Sequence, residues 1–318
     1  MPAGLTIIEA AKRTNDPAVI GVVQTLAGGN PVLEHLPFFT IPGRSYSYNR
    51  EALLPTIAFR GINSTYTAST GIINPESEVL RPLGGVSDTD RYIIKTDPGA
   101  RAAQDAMFAK AIGRQFAAKF FEGNSETTPQ EFDGLKTRVT GAQLISAGVT
   151  DNGIDLNGAP GVAALDSAVR QVSRGNSPMI KIYMNGFLLS RLTLFSRSNT
   201  NHQLVWARTD AGVQMPTWAG HEIVETDMDD DASQTPLLSI TEPDSGDNNN
   251  STTSIYVVRY GGNRDFVSGI QHTAGIEVED KGSVTNATTE STLIEWLCAF
   301  GVFHPRAVAR ARHYKTTA

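Results

Sequence analysis

The segment "DPGARAAQDAMFAKAIGRQFAAKFFEG", residues 97–123, constrains the fold more than any other part of the chain. Asp97 is a good N-cap, Pro98 suits a first helical turn, and Gly123 supplies a C-terminal stop. Phe108, Ile112, Phe116 and Phe120 fall four apart with Met107 and Ala111 beside them, which places one apolar stripe along a helix. Arg101, Asp105, Arg114 and Lys119 occupy much of the rest of its surface. A helix over 98–122 spans about 37 Å at 1.5 Å per residue, well beyond the usual length of roughly 11–12 residues. It is expected to be a spine, with a core laid along one side.

The end of the spine and the loop after it, "KFFEGNSETTPQEFDGL" at 119–135, crowd Glu122, Asn124, Glu126, Glu131 and Asp133 around a glycine. Their spacing does not match a calcium loop, and no basic residue lies between Asn124 and Leu135 to hold a phosphate. The stretch reads as a structural joint instead. Gly123 releases the helix, Thr128-Pro129 forces an extended segment, Phe132 buries itself at the helix end, and Asp133-Gly134 turns the chain into the next element.

Ahead of the spine, "FFTIPGRSYSYNRE" alternates Tyr46 and Tyr48 with polar neighbours, and "RYIIKT" at 91–96 is expected to return as a strand. Between them lies a long segment rich in Thr, Ser, Gly and Pro. This describes an extended hairpin without a core of its own, which needs another surface to lie on. Tyr46, Tyr48, Phe59, Arg60, Tyr66 and Arg81, with Arg306 and Arg310 near the end of the chain, are the candidate contact residues with neighbouring subunits. Residues 5–27 suggest two short amphipathic helices, split at Asn15-Asp16-Pro17. With little to bury against locally, they are expected to form an arm that finds its partner elsewhere.

Beyond the joint the pattern is mixed. "GVAALDSAVRQV" and "GFLLSRLTLF" read as helices; "MIKIYMN", "HEIVETD", "PLLSIT" and "SIYVVRYG" read as strands. A polar turn, "EPDSGDNNNSTT", separates the last two. The chain closes with "GIQHTAGIEVEDKG", "TLIEWLCAFGVF" and the basic "HPRAVARARHYK", carrying Arg306, Arg310, Arg312, His313 and Lys315. No repeat of fixed period is present, against a solenoid or propeller.

Chemistry is sparse. There is no P-loop, no dinucleotide-binding glycine fingerprint and no nucleophile elbow. "HEIVE" at 221–225 puts Glu225 where a zinc-protease helix needs its second His, and its β-branched residues favour a strand. "DMDDDAS" alternates Asp227, Asp229 and Asp231, yet Ala232 and Leu238 stand where a calcium loop needs Gly and Glu. The six histidines are scattered, and Cys298 lies in an apolar run as a buried, inert thiol. No catalytic, cofactor-binding or metal-ligating residue is assigned, and the chain reads as a non-enzyme. With 40% hydrophobic and 19% charged residues it is globular. A net charge of -6 argues against gripping nucleic acid through a basic face. The N-terminus lacks a signal-peptide pattern, no apolar run approaches the roughly 20 residues of a membrane span, and a single cysteine fits a reducing compartment. The sequons at 63–65 and 286–288 therefore carry no expectation of glycosylation.

The order of these parts resembles the major capsid protein of tailed bacteriophages, the Hong Kong 97-type fold that encapsulins also use. The resemblance rests on "LTIIEAAKRTNDP…VLEHLPFFTIPGRSYSYNRE", "FFEGN…PQEFDGL" and "HPRAVARAR", and the matching order covers nearly the whole chain. It implies an α+β fold with an N-terminal arm at 1–37 and an extended loop (E-loop) at 38–94. A peripheral domain would hold 95–140 and 261–318 with the spine helix, and an α/β axial domain 141–260. It further implies a structural protein that self-assembles as hexamers and pentamers into an icosahedral head enclosing double-stranded DNA, held non-specifically. A scaffold protein and a portal are implied during assembly, and a decoration protein is a further candidate partner. Assembly in the host cytoplasm, residence in the virion and no membrane partner belong to the same picture. The sequence begins at the arm, so the scaffold is expected to be a separate protein. Some members crosslink a lysine to a neighbour's asparagine; Lys95 and Lys136 flank the right region, but no motif singles out either. The alternatives are an encapsulin-like cargo shell and a soluble hydrolase.

Overall fold

The structure is a computed structural model that describes residues 7, 17–28, 30–148, 153–172, 179–198, 204–208, 214–226, 236–243, 251–262, 264–283 and 288–316. Helix α1 (Pro17–Ala27) leads into strands β1 (Phe38–Ile41), β2 (Ser45–Leu53), β3 (Ile72–Val79) and β4 (Arg81–Asp90). Helices α2 (Arg91–Thr96), α3 (Ala100–Glu122) and α4 (Leu135–Arg138) come next, then β5 (Leu144–Ser146), α5 (Ala159–Val172), β6 (Ile180–Met184) and α6 (Gly186–Ser198). The chain ends with β7 (Leu204–Arg208), β8 (Gln214–Trp218), β9 (His221–Glu225), β10 (Thr252–Arg259), β11 (Val267–Ser283), β12 (Thr289–Val302) and β13 (Val308–Lys315). These strands form a four-stranded sheet ordered β1-β11-β12-β4, a seven-stranded sheet ordered β5-β13-β10-β6-β9-β8-β7, and a separate hairpin β2-β3.

The spine, α3, is present as read, with two refinements. It starts at Ala100, where the Asp97 carboxylate accepts from the Gly99 N–H at 3.0 Å. Its buried face is Ala109, Ile112, Gly113, Phe116, Ala117, Phe120 and Phe121, so Met107 and Ala111 point outward and Phe108 is only half-buried. Successive side chains on a helix diverge by about 100°, and the pair Phe120-Phe121 exploits that divergence. Phe120 lies 4.6 Å from the Phe300 ring of the four-stranded sheet; Phe121 lies 5.2 Å from Tyr256 and 5.4 Å from Tyr183 of the seven-stranded sheet. One turn earlier Phe116 packs on Trp296 (5.0 Å), Phe132 (5.5 Å) and Phe38 (6.0 Å).

A second core lies on the far face of the seven-stranded sheet, where Leu165, Ala168, Val169, Leu188 and Leu192 of α5 and α6 cover Ile182, Ile255 and Val257. Strand β10 is therefore buried on both faces, with Tyr256 and Val258 toward the spine. That is why "SIYVVRY" is almost continuously apolar instead of alternating.

Three expectations are corrected. Residues 91–96 are a helix, because the Asp90 carboxylate caps the Tyr92 N–H at 2.7 Å and β3 already supplies the strand that returns along β2. Residues 236–241 make no strand: Leu237 and Leu238 are buried, and the Ser239 N–H is taken by Glu122 Oε1 at 3.0 Å. The last strand, β13, pairs with β10 and β5 in the seven-stranded sheet, whereas β11 and β12 lie in the four-stranded one. Of the expected arm, the first helix is described only at Ile7, which is buried; α1 and the turn after it dock on their own subunit. Gly113 permits this docking, since a Cβ there would stand 2.4 Å from the Leu26 carbonyl oxygen, and Asn30 Nδ2 donates to the Gly113 carbonyl at 2.7 Å.

The turn after α1 also reaches the seven-stranded sheet. Tyr183 donates its hydroxyl to the Pro31 carbonyl at 3.2 Å, and His35 lies 3.9 Å from Glu222, which is paired with Lys181. Burial, then the Lys181 charge, hold the His35 imidazole down at about 4 from its usual 6.5, with Glu222 opposing. The unfolded chain binds that proton near pH 6.5, so this contribution is whole above pH 6.5 and is lost as pH falls toward 4. His35→Gln is expected to flatten the decline in unfolding free energy between pH 7 and pH 5, measured by denaturant titration. Gly113→Ala is expected to cost about 1–3 kcal/mol in the same measurement, because the helix and α1 must separate.

Candidate assembly surface: the projecting hairpin and its anchorage

The hairpin β2-β3 is an antiparallel ribbon in which Tyr46, Tyr48 and Arg50 face Glu78, Glu76 and Asn74. Its root is tied to the body by aromatic and ionic contacts. Tyr46 and Tyr48 stack at 6.2 Å, and the Phe303 ring meets Tyr48 edge-on at 4.6 Å. Arg264 lies over Tyr46 at 4.9 Å. Arg50 and Glu76 pair across the ribbon at 2.9 Å.

The deepest tie is Glu78, only 7% exposed, which receives both arms of the Arg138 guanidinium at 2.5 and 2.7 Å. A two-pronged pair of this kind fixes orientation as well as distance. The same guanidinium covers the Phe300 ring at 4.9 Å and donates from Nε to the Asp133 carbonyl at 2.7 Å. Burial opposes the Arg138 charge, but Glu78 outweighs it and raises its pKa above the usual arginine value. Tyr48 donates to Glu78 and to the Val302 carbonyl, both at 3.3 Å.

Arg138 thereby links the hairpin to the joint. Gly123 and Gly134 lie in contact there: the Gly134 N–H donates to the Gly123 carbonyl at 2.8 Å, and a Cβ on Gly134 would stand 2.5 Å from the Gly123 nitrogen. Phe132 fills the space between Phe116 and Phe300. Asp133 accepts from the Ser125 N–H at 2.8 Å; burial works against its charge, but that bond and Arg138 hold its carboxyl below the usual range. Among the other polar side chains of the stretch, Glu131 pairs with Lys119 at 2.7 Å and the Asn124 amide oxygen accepts from the Glu126 N–H at 2.9 Å.

The far end of the hairpin has no such support. Leu53, Leu54, Ile57, Phe59, Ile62, Tyr66, Ile72 and Ile73 are each at least half exposed, with Phe59 fully so at 107%. Arg60 donates to the Ser64 carbonyl at 2.9 Å and covers Tyr66 at 5.3 Å, so the tip turns back on itself around Asn63, whose φ is 66°. An isolated apolar surface of this size marks a contact site.

The candidate contact residues thus separate into groups. Phe59, Arg60 and Tyr66 share the exposed tip; Tyr46 and Tyr48 serve the root within their own subunit. Arg81 is half-buried beside Phe116 and Lys119 in a cleft under the spine. Arg306 donates to the Gln171 and Arg170 carbonyls at the end of α5. Arg310 is 7% exposed and bonds Glu242 at 2.9 Å and Ser254 at 3.0 Å inside the seven-stranded sheet of its own subunit. Burial opposes the Glu242 charge, but Arg310 and Lys136 (3.2 Å) outweigh it and lower its pKa. Lys95 is exposed on α2. Cys298 is buried, with its thiol pushed up by that burial. Residues 221–225 form β9, and "DMDDDAS" lies outside the described residues. Among the described residues no group of three or more His, Cys, Asp or Glu is placed to hold a metal ion, and no helix is long and apolar enough to cross a membrane.

A family model described as Major capsid protein GP7 matches residues 14–161. No curated protein sequence matches the chain. Among solved structures, the SrpI encapsulin of Synechococcus elongatus shares 16% identity at a TM-score of 0.64, covering 92% of this chain and 90% of that one. Mycobacterium phage Cain gives 11% and 0.59 with 99% and 100% covered. The capsid of an empty GTA particle gives 12% and 0.59 with 90% of each. The chain has the Hong Kong 97-type fold of these subunits.

Arg138→Ala is expected to cost about 3–5 kcal/mol of subunit stability, because it strands the buried Glu78 carboxylate. Phe132→Ala is expected to cost a similar amount by leaving a void in the aromatic core, and Glu126→Ala to stay within about 0.5 kcal/mol. Denaturant unfolding of the three variants checks the ordering.

Proposed function

We propose that this chain, which has the fold of phage capsid subunits and matches the Major capsid protein GP7 model over 14–161, is a major capsid protein and the building block of an icosahedral head. The observation that carries the reading is the hairpin: eight large apolar side chains at its outer end, each at least half exposed, and a root clamped by Glu78 and Arg138. Fully burying one such side chain is worth about 1.5–3 kcal/mol. A lone subunit leaves that stabilisation unused, and a lattice of copies recovers it at every contact.

In this reading the hairpin within 38–94 is the E-loop, and the spine with the four-stranded sheet forms the peripheral region. The seven-stranded sheet with α5 and α6 forms the axial region, which now includes β13. Copies associate as hexamers and pentamers around double-stranded DNA, held without sequence preference. A scaffold protein and a portal act during assembly in the host cytoplasm, and a decoration protein is a candidate on the finished surface. The acidic balance of the chain suits an inner wall that must not trap packaged DNA. The matching family is a structural one, which supports a non-enzymatic role over the hydrolase alternative.

A cargo-carrying shell is the second reading, favoured by the likeness to the SrpI encapsulin. Packaged DNA and a portal at one vertex distinguish a head; a cargo protein bound inside distinguishes the other. Purified full chain, alone and with its scaffold, is expected to give rings, shells or tubes by sedimentation and negative-stain microscopy. Replacing residues 54–71 by a two-residue Asn-Gly turn is expected to leave folded subunits that no longer assemble. A wild-type chain that stays a compact monomer under both conditions overturns the reading.

A further inference from the structure

The two halves of the spine are held to the four-stranded sheet by different means. From Ala109 onward the helix buries Ile112, Phe116 and Phe120, whereas none of its residues ahead of Ala109 is fully buried. The first half rests on polar side chains instead. Arg101 donates to Thr292 at 2.9 Å, Glu290 at 3.2 Å and Asp280 at 2.6 Å. Two turns on, the Phe108 ring lies over Gly85 of β4, where a Cβ would stand 3.1 Å from it. Asp105, four positions after Arg101 and three before Phe108, shares that helix face and is turned to the sheet.

Beneath it runs β4. Ser87 is directly opposite Thr292, the residue that Arg101 grips, and is two residues from Gly85. Asp105 therefore stands over Ser87, with Thr89 next along the same face. Asp88, between the two hydroxyls, points to the other face and takes the Ser291 hydroxyl at 2.5 Å. Ser87 and Thr89 are 1% and 7% exposed. Their hydroxyl oxygens and Asp105 Oδ1 are shielded from solvent, and none of the three has a hydrogen-bond partner in the protein. Buried polar atoms are nearly always satisfied, and a shielded carboxylate oxygen is the costliest to leave alone. The local charge is unbalanced in the same sense: two guanidiniums, Arg91 and Arg101, face three carboxylates, Glu290, Asp280 and Asp105.

We propose that Asp105, Ser87 and Thr89 hold a hard cation of the calcium class, which fastens the first half of the spine to β4. Donors that are all oxygen suit such an ion, and calcium accepts the irregular geometry that magnesium refuses. One carboxylate with two neutral hydroxyls, completed by water, belongs to the weak class, with Kd about 0.1–1 mM. The site is independent of the shell reading and adds a ligand to it.

Thermal unfolding of full-length subunits, stripped with chelator and returned to CaCl2, tests it. About 10 mM calcium is expected to raise the melting temperature of the wild type by about 3–5 °C, and magnesium to do markedly less. Asp105→Asn is expected to abolish the shift, and Ser87→Ala to weaken calcium binding about tenfold by isothermal titration. Amide hydrogen exchange is expected to slow at 100–108 on adding calcium and to stay unchanged at 116–121, which separates a local clamp from a general salt effect. A wild type without a calcium-dependent shift, or an Asp105→Asn variant that keeps it, overturns the site and leaves the three oxygens to bound water. An equal response to magnesium overturns calcium as the occupant. None of these readouts requires particles, so their failure leaves the shell reading standing.

Discussion

The structure depends on how one helix end serves two sheets. Phe120 and Phe121 are neighbours in sequence, yet one enters the core beside Phe300 and the other the core beside Tyr183 and Tyr256. No loop contact could hold the sheets at a fixed relation as firmly, because interiors packed with aromatic rings have little free volume to yield. The joint at Gly123-Gly134 is a consequence of this. A helix ending inside a crowded core must turn at once, and only residues without a side chain fit where the two strands of the turn touch.

Arg138 extends that rigidity outward. It sits one short helix after the joint, covers Phe300, and grips Glu78 at the base of the hairpin. The direction of the projecting ribbon is therefore set from the same core that sets the sheets. A buried ion pair contributes little net stability compared with an apolar substitute, but it fixes orientation through two parallel hydrogen bonds. Orientation is what a part that must meet another molecule requires.

Local patterns reveal the spine, the joint, the hairpin and both helices over the seven-stranded sheet, because each is written in a run of adjacent residues. Pairings distant in sequence stay hidden. Glu78 and Arg138 are 60 positions apart, and Glu242 and Arg310 are 68 apart, so nothing near any of them marks a partner. Arg310 reads as part of a basic tail because charge is visible along a chain and burial is not. Residues 91–96 read as a strand because Tyr92, Ile93 and Ile94 favour one, and the cap from Asp90 decides for a helix. The docking of α1 turns on Gly113, a glycine whose role in letting two backbones approach has no signature along the chain.

The hairpin is fixed at its root and free along its length, which makes it a lever. Its strands, of nine and eight residues, give an arm about 30 Å long. Bending that arm by about 5° just beyond the Glu78–Arg138 clamp shifts the tip by roughly 2.6 Å over the same length. The proposed shell would need identical chains to meet at slightly different angles around fivefold and sixfold positions. In the proposed shell, small bends of the ribbon beyond its clamp, multiplied by the length of the arm, would meet that need without altering either sheet. Geometric tolerance would then be stored in the reach of one ribbon, and the body of the subunit could stay the same at every site of the proposed shell.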